Sequence, residues 1–347
     1  MALLEAHRLR VELRTRHGSA AAVRDMSFTL ERGDTLGLIG ESGCGKSMTA
    51  LALMGLAPGN AAVSGSLKLD GRQLIGLPDR NWQRVRGARI AMIFQEPMSA
   101  LNPVHRVGAQ IAEPLMLHRR LPRRQARERA IELLDRVGIP DAARRAGSFP
   151  HQFSGGQRQR IMIAMALACE PDVLVADEPT TALDATVQQQ ILALIGELVA
   201  ERGMALILIS HDIGLVARNA RRLLVMYGGA VVERGAADEL LSRPAHPYTR
   251  ALLAARPSLA QRLEARRGAR LPTIAGAVPG LLNLPPGCPF AGRCPFTQPP
   301  CAAEAPPVTA LSNTHRFSCF ASSPAGDALR PPPLWEDWDG DRRHHQR

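Results

Sequence analysis

Lysine is nearly absent from this sequence: of its 43 basic residues only Lys46 and Lys68 are lysines, and the others are arginines. Such a bias indicates the base composition of the genome rather than a function. Lys46 nevertheless lies in a glycine-rich segment, where a compact ammonium charge fits and a planar guanidinium does not. Its presence there favours a nucleotide-binding site.

Aromatic residues are also scarce, at 4 % of the chain. Proteins that bind single-stranded nucleic acid interleave aromatic and basic residues, and this sequence shows no such pattern. The net charge of +11 permits binding to nucleic acid or to an anionic membrane surface. Because the arginines are scattered, we interpret the charge as a solvated surface.

Long apolar runs are missing. The best candidate, residues 191–209, is interrupted by Glu197, Glu201 and Arg202, so the sequence predicts no transmembrane helix. The first five residues contain an acid and lead into no long apolar core, so we expect no signal peptide. We therefore expect a cytoplasmic chain, in which the six cysteines are thiols or metal ligands rather than disulfides.

Residues 40–47 form the organising motif, which fits G-x-x-x-x-G-K-[ST] at every position. The apolar segment 34–39 before it predicts a buried strand, and the run 48–54 after it is rich in helix formers. The N–H groups of such a loop converge on phosphate oxygens, and the helix dipole favours negative charge. Lys46 would reach the β- and γ-phosphates, and Ser47 would bind Mg²⁺. The candidate nucleotide-binding residues of this motif are Gly40, Glu41, Ser42, Gly43, Cys44, Gly45, Lys46 and Ser47.

The segment 172–179 predicts a second buried strand, which ends in two acids, Asp177 and Glu178. One carboxylate at the end of a strand can hold Mg²⁺, and the next can orient or deprotonate an attacking water. Strands alternate with helices along this part of the chain, which predicts a parallel sheet covered on both faces. Residues 98–150 interrupt that alternation and read as a helical insertion.

The order of the motifs resembles that in the ATP-binding subunits of ABC transporters, over residues 3–255. The resemblance implies a P-loop NTPase fold (an ABC ATPase domain) that binds and hydrolyses ATP with Mg²⁺. It also implies roles for individual residues: Glu178 as catalytic carboxylate, His211 as switch histidine, Gln95 in the Q-loop, Asp184 in the D-loop, Asp177 with Ser47 and Gln95 on Mg²⁺, and Ser154, Gly155, Gly156 and Gln157 as the signature that binds the γ-phosphate held by a partner subunit.

One departure from the family pattern concerns adenine. The family usually stacks an aromatic residue on the base in a loop before the phosphate-binding motif, and residues 13–17 offer none. His17 or an arginine is the candidate to stack by its planar face. Preference for adenine over guanine is therefore not predicted.

Segments 95–103 and 244–249, with the cysteine-bearing tail, are similar to those of dipeptide, oligopeptide and nickel importers. That resemblance extends to about residue 321. It implies a peripheral subunit at the cytoplasmic face of the inner membrane, acting with a second ATPase subunit and two permease subunits that a solute-binding protein feeds. The alternatives are a soluble ABC ATPase acting on nucleic acid or ribosomes, and an ATPase that the tail regulates as a redox sensor.

Four cysteines lie within the proline-rich tail. Four closely spaced thiols suit tetrahedral ligation of zinc or of an iron–sulfur cluster, and the absence of a C-x₂-C pair favours [4Fe–4S]. Reduced, unligated thiols remain the alternative. These candidate ligands are Cys288, Cys294, Cys301 and Cys319. The predicted domains are the ATPase at 1–255 with a helical subdomain at about 96–165, a C-terminal module at 256–321, and a disordered tail at 322–347.

Overall fold

The computed structural model of the protein describes residues 2–96, 100–181, 183–255 and 273–320. The predicted disordered tail, 322–347, lies outside these residues. The strands are β1 (Leu4–Thr15), β2 (Gly18–Leu30), β3 (Thr35–Ile39), β4 (Ala61–Leu69), β5 (Arg72–Gln73), β6 (Ile90–Ile93), β7 (Val173–Asp177), β8 (Ala205–Ser210), β9 (Arg222–Tyr227), β10 (Ala230–Ala236), β11 (Val308–Ala310) and β12 (Arg316–Ser318). The α-helices are α1 (Lys46–Leu53), α2 (Asp79–Trp82), α3 (Val107–His118), α4 (Arg123–Arg136), α5 (Ala142–Arg145), α6 (Gly155–Leu167), α7 (Ala185–Arg202), α8 (Ile213–Asn219), α9 (Ala237–Ser242), α10 (Pro247–Ala254) and α11 (Pro299–Ala303).

Five parallel strands form the centre of the sheet, in the order β9-β3-β8-β7-β6. Every residue of β7 and β8 is buried. Alternate residues of β7 belong to different cores: Leu174 packs in one and Val175 in the other. Since successive side chains of a strand point to opposite faces, both faces are covered. The predicted α/β fold with a covered parallel sheet is confirmed.

A second part of the sheet is antiparallel and was not predicted as such. β1 pairs with β2 and β4, and β4 pairs with β5. The turn between β1 and β2 falls at residues 16–17. This arm joins the parallel centre through β10, which pairs with β2 at Ala230 and Arg24 and with β9 over most of its length.

Helices α3 to α6 follow β6 and lie within the predicted helical insertion or at its C-terminal side. In α4 the buried residues Ala126, Ala130, Leu133 and Leu134 recur at helical spacing. Pro122 precedes its first turn, and Gly138, with φ of +77°, follows its end. A left-handed glycine is a common way to end a helix, so Gly138 ends α4 inside the predicted helical insertion.

Residues 273–320 extend the sheet rather than forming a self-contained core. β12 pairs antiparallel with β10, and β11 pairs with β12. Cys288, Phe290 and Cys301 pack in the same hydrophobic core as the parallel strands. Where β12 packs on β10, Oε1 of the buried Glu233 carboxylate is hydrogen-bonded to Nε2 of His315 at 2.7 Å. This part of the chain is therefore ordered by packing on the sheet and its main core.

No helix within the described ranges is long and apolar enough to cross a membrane.

Segment 244–249 contains a buried histidine. His246 is 1 % exposed, and its Nδ1 accepts a hydrogen bond from the N–H of Tyr248 at 3.1 Å, which caps α10. Burial lowers the pKa of His246 from 6.5 to about 4. The imidazole is therefore neutral in the folded protein at neutral pH.

We expect this histidine to contribute to acid destabilisation. As the pH falls from 6.5 towards about 4, the unfolded chain gains a proton at His246 that the folded chain does not. The free energy of unfolding then falls with pH by up to about 1.4 kcal/mol per unit from this group. His246→Asn keeps a capping side chain and should show a shallower pH dependence in urea unfolding. The exposed His105→Asn is the control, and an equal slope in parent and His246→Asn would contradict the assignment.

Candidate functional site

The glycine-rich motif folds as a loop from the end of β3 to the first turn of α1. Two of its glycines allow very close approach to neighbouring strands. Gly40 has φ of +159°, and a Cβ there would lie 2.3 Å from the carbonyl oxygen of Met226. Gly45 has φ of +104°, and its Cβ would lie 2.2 Å from the carbonyl oxygen of Ala22. The loop therefore wraps against β2 and β9, with its backbone at the start of a helix.

Lys46 extends across this loop and is only 5 % exposed. Its Nζ donates hydrogen bonds to the carbonyl oxygens of Gly40 at 2.7 Å and Glu41 at 3.0 Å. The same atom lies 3.9 Å from Oε1 of Glu178. The ammonium thus lies between the loop and the acidic end of β7.

Asp177, the last residue of β7, is 4 % exposed. Burial raises the pKa of its carboxyl group, and a hydrogen bond from the Ser47 hydroxyl partly offsets this rise. Among the described residues, its Oδ1 has no hydrogen-bond partner. A buried carboxylate oxygen without a partner beside a hydroxyl is an oxygen donor set of the kind that Mg²⁺ prefers. Asp177 and Ser47 therefore fit a magnesium ion.

Glu178 turns the chain away from β7. Its φ is +47°, a left-handed conformation uncommon for a residue other than glycine. Its N–H donates to the carbonyl oxygen of Ile209 at 2.9 Å. Its Oε2 accepts a hydrogen bond from Oγ1 of Thr181 at 2.9 Å and lies 3.3 Å from Nδ1 of His211. These contacts fix the carboxylate between Lys46 and His211.

The structure thus brings together five of the predicted site residues. Lys46 and Ser47 come from the loop, Asp177 and Glu178 from the end of β7, and His211 from the residue after β8. The His211 side chain is 62 % exposed, which leaves it accessible to a ligand at this edge.

Gln95 follows β6, which pairs in parallel with β7 beside the paired acids, but among the described residues neither it nor the signature is hydrogen-bonded to this cluster. Gln95 is exposed just after β6, and the neighbouring Pro97–Ser99 lie outside the described residues. Ser154 caps α6 in a reciprocal capping box: the N–H of Gln157 donates to its Oγ at 3.3 Å, and its own N–H donates to Oε1 of Gln157 at 3.2 Å. Within the described part of the chain, no hydrogen bond or ion pair joins 154–157 to the loop at 40–47.

Asp184 caps α7 by accepting hydrogen bonds from the N–H groups of Thr186 at 3.1 Å and Val187 at 3.0 Å. Its neighbour Ala182 lies outside the described residues. The observed role of Asp184 is therefore that of a helix cap.

Sequence reasoning missed two residues that contact the loop. Arg293 and Tyr248 both bond to Glu41. Tyr248 lies in the segment 244–249, which is similar to that of peptide and nickel importers but shows no local sign of a contact with the loop. Arg293 adjoins Cys294, and the prediction for this segment concerned only its cysteines. No local pattern could have found either contact, because 252 residues separate Arg293 from Glu41.

The prediction of an iron–sulfur or zinc centre is wrong. Among the described residues, no group of three or more His, Cys, Asp or Glu side chains is placed to hold a metal ion. Burial raises the pKa of Cys288 to about 11 and that of Cys294 to about 12, so these thiols are protonated at neutral pH. Cys288 and Cys301 pack in the main core, and Cys319 packs with Phe317 in a small separate one. Cys288, Cys301 and Cys319 are buried, and Cys294 is half-buried.

Comparison with protein families matches residues 23–181 to the ABC transporter family and residues 232–301 to the C-terminal region of oligopeptide/dipeptide transporters. A putative peptide import ATP-binding protein of Brucella melitensis is 48 % identical over 326 residues, which cover 92 % of this chain and 96 % of that protein. The oligopeptide transport ATP-binding protein OppD of Salmonella typhimurium is 49 % identical over 318 residues, which cover 92 % of this chain and 93 % of OppD.

Two solved structures share the fold. A dimeric ATP-binding cassette in a post-hydrolysis state, bound to ADP and Pi, has a TM-score of 0.61 at 26 % identity and covers 67 % of this chain and 98 % of its own. The cbiO1 protein of Clostridium perfringens, part of the ABC transporter complex cbiONQ, has a TM-score of 0.60 at 26 % identity and covers 76 % of this chain and 99 % of its own. The relatives above are nearly half identical to this chain along almost all of its length. The structure places the phosphate-binding loop, the paired acids and the histidine at one edge of the sheet. This chain therefore belongs to the ATP-binding subunits of ABC transporters and is an ATPase.

Proposed function

We propose that this chain is the ATP-hydrolysing subunit of an ABC importer for dipeptides, oligopeptides or related small solutes. The observation that most directly supports ATPase activity is the contact of Lys46 with both the loop and Glu178. Beside it, among the described residues, Oδ1 of Asp177 has no hydrogen-bond partner. The match of residues 232–301 to oligopeptide/dipeptide transporters, and the names of the relatives above, support the choice of cargo.

In this proposal the loop and Lys46 bind the phosphates of ATP, and Ser47, Asp177 and Gln95 hold Mg²⁺, which would neutralise phosphate charge. Glu178 orients or deprotonates the attacking water, and its contacts with Thr181 and His211 hold the carboxylate in place. His211 then has its exposed face towards the γ-phosphate.

A second ATPase subunit would complete each site with its own 154–157 segment. Two observations support this arrangement: Ser154 and Gly155 are exposed, and a solved cassette of the same fold is dimeric with ADP and Pi bound. Two permease subunits would bind this pair at the cytoplasmic face of the membrane, and a solute-binding protein would deliver cargo to the permeases. The ATPase domain at 1–255, its helical subdomain at about 96–165 and the C-terminal module at 256–321 remain proposed divisions.

The alternative, an ABC ATPase acting on nucleic acid or ribosomes, gains no support from these relatives. Their names place them in peptide import and oligopeptide transport. The basic charge that suggested it fits a solvated surface equally well.

Glu178→Gln should bind ATP normally and hydrolyse it about 10²–10⁴-fold more slowly, because the amide keeps the shape of the side chain but cannot accept a proton. Affinity for ATP and steady-state hydrolysis by the assembled complex are the measurements. Glu128→Gln on the outer face of α4 is the control and should match the parent. Parental hydrolysis by Glu178→Gln would remove this residue from the catalytic role.

Lys46→Ala should weaken ATP binding itself, because it deletes the cation that bridges the loop and Glu178. The other lysine of the sequence offers a matched control: Lys68 is exposed on β4, away from the loop. Lys68→Ala should bind ATP like the parent. Titration with a fluorescent ATP analogue measures both variants, and equal affinity in Lys46→Ala and parent would contradict the phosphate-binding role.

Asp177→Asn should raise the unfolding temperature without ligand and reduce the further rise caused by Mg²⁺ and ATP. The folded-state pKa of Asp177 is raised above its unfolded value, so ionisation at neutral pH destabilises the fold, whereas the neutral amide does not. Thermal unfolding with and without Mg²⁺ and ATP tests this, with the exposed Asp135→Asn as control. An unchanged ligand-induced rise in Asp177→Asn would exclude Asp177 from the magnesium site.

A further inference from the structure

An ion pair joins the phosphate-binding loop to the C-terminal region of the chain. Nη1 of Arg293 donates to Oε2 of Glu41 at 2.5 Å, and Nη2 donates to Oε1 at 3.2 Å. The Arg293 side chain is 6 % exposed and that of Glu41 27 %. A two-pronged arginine–carboxylate contact fixes orientation as well as distance, so the Glu41 side chain has one defined position.

The C-terminal region holds this arginine independently of Glu41. Nε of Arg293 donates to the carbonyl oxygen of Ala275 at 2.8 Å, and Nη2 also donates to that of Ile274 at 3.3 Å. Nη1 donates in addition to the hydroxyl of Tyr227 at 3.2 Å. These contacts therefore fix the position of the Arg293 guanidinium without help from Glu41. In the ion pair, it is the side chain of Glu41 whose position becomes fixed.

A second contact fixes the backbone at the same residue. The N–H of Glu41 donates to the hydroxyl of Tyr248 at 2.8 Å, and Tyr248 is fully buried. Burial raises the pKa of Tyr248, so the phenol stays neutral and available as an acceptor. Tyr227 and Phe290 surround it, with ring centroids 4.7 Å and 5.3 Å from that of Tyr248. The acceptor is thus held by a rigid aromatic cluster.

Both contacts act on the part of the loop that positions Lys46. The carbonyl oxygens that accept hydrogen bonds from Lys46 Nζ belong to Gly40 and Glu41. A loop with three glycines has much backbone freedom, and ordering it on binding would reduce affinity. Anchoring Glu41 through its side chain and its N–H removes that freedom in advance.

We propose that Arg293 and Tyr248 are positioning residues for the nucleotide site, which hold the phosphate-binding loop in its ATP-binding conformation through Glu41. According to this proposal, the C-terminal region, 273–320, contributes to the ATP site by positioning its loop. The proposal rests on the ATPase function proposed above.

The test compares Arg293→Gln, Glu41→Gln and the double variant in the full chain. A hydrogen-bonded charge contact of this kind is worth roughly tenfold or more, so each single variant should raise the KM for ATP about tenfold and lower kcat less. The affinity for a fluorescent ATP analogue should fall in parallel. Because the two residues act through one contact, the double variant should be no worse than either single one. Arg293→Lys, which keeps the charge and loses the two-pronged geometry, should recover part of the affinity.

Arg250→Gln is the matched control. It removes another part-buried guanidinium, that of a residue in α10, whose Nε donates to the carbonyl oxygen of Pro244 at 2.8 Å and does not contact the loop. Arg250→Gln should keep the parental KM even if it lowers the unfolding temperature as much as Arg293→Gln does. Equal rises of KM in Arg250→Gln and Arg293→Gln would reduce Arg293 to a structural residue and overturn the proposal.

Binding and hydrolysis separate the two proposals. Equal analogue affinity in the parent and in both single variants contradicts the positioning role alone. A parent complex that binds the analogue without hydrolysing ATP contradicts the ATPase proposal, whereas loss of affinity in Arg293→Gln and Glu41→Gln would still support the role of the contact.

Discussion

Parallel pairing of β3, β7 and β8 is the constraint on which the site depends. Ile39 pairs with Ser210, and Asp177 pairs with Ile209, so the three strands end together at one edge. The residues that follow are Gly40, Glu178 and His211. Three segments far apart in the sequence therefore meet because strands of equal direction end side by side, which is the general place for ligands in open α/β sheets.

The sequence sufficed for features that depend on local pattern. An apolar run predicted the buried strand β7, and the glycine spacing predicted the loop at 40–47. Asp177 and Glu178 were placed correctly because they end a buried strand, and a strand end of known direction fixes its edge. The antiparallel arm was not predicted as such, because the sequences of β1 and β2 do not indicate which strands they pair with.

The errors came from features that depend on long-range packing. Four cysteines within about thirty residues suggested a shared ligand, yet among the described residues no group of three or more side chains is placed to hold a metal ion. Proximity in sequence carries no information on whether a thiol faces a metal or a core. For the same reason the contact of Arg293 with Glu41 could only be seen in the folded chain.

The capping box at the start of α6 has a consequence for recognition. The first N–H groups of a helix have no partner within that helix, and the Ser154 side chain satisfies that of Gln157. The N–H groups of Gly155 and Gly156 at this exposed end are left to other partners. Since helix N-termini carry a partial positive charge, the two glycines leave this charge exposed with no side chain in front of it.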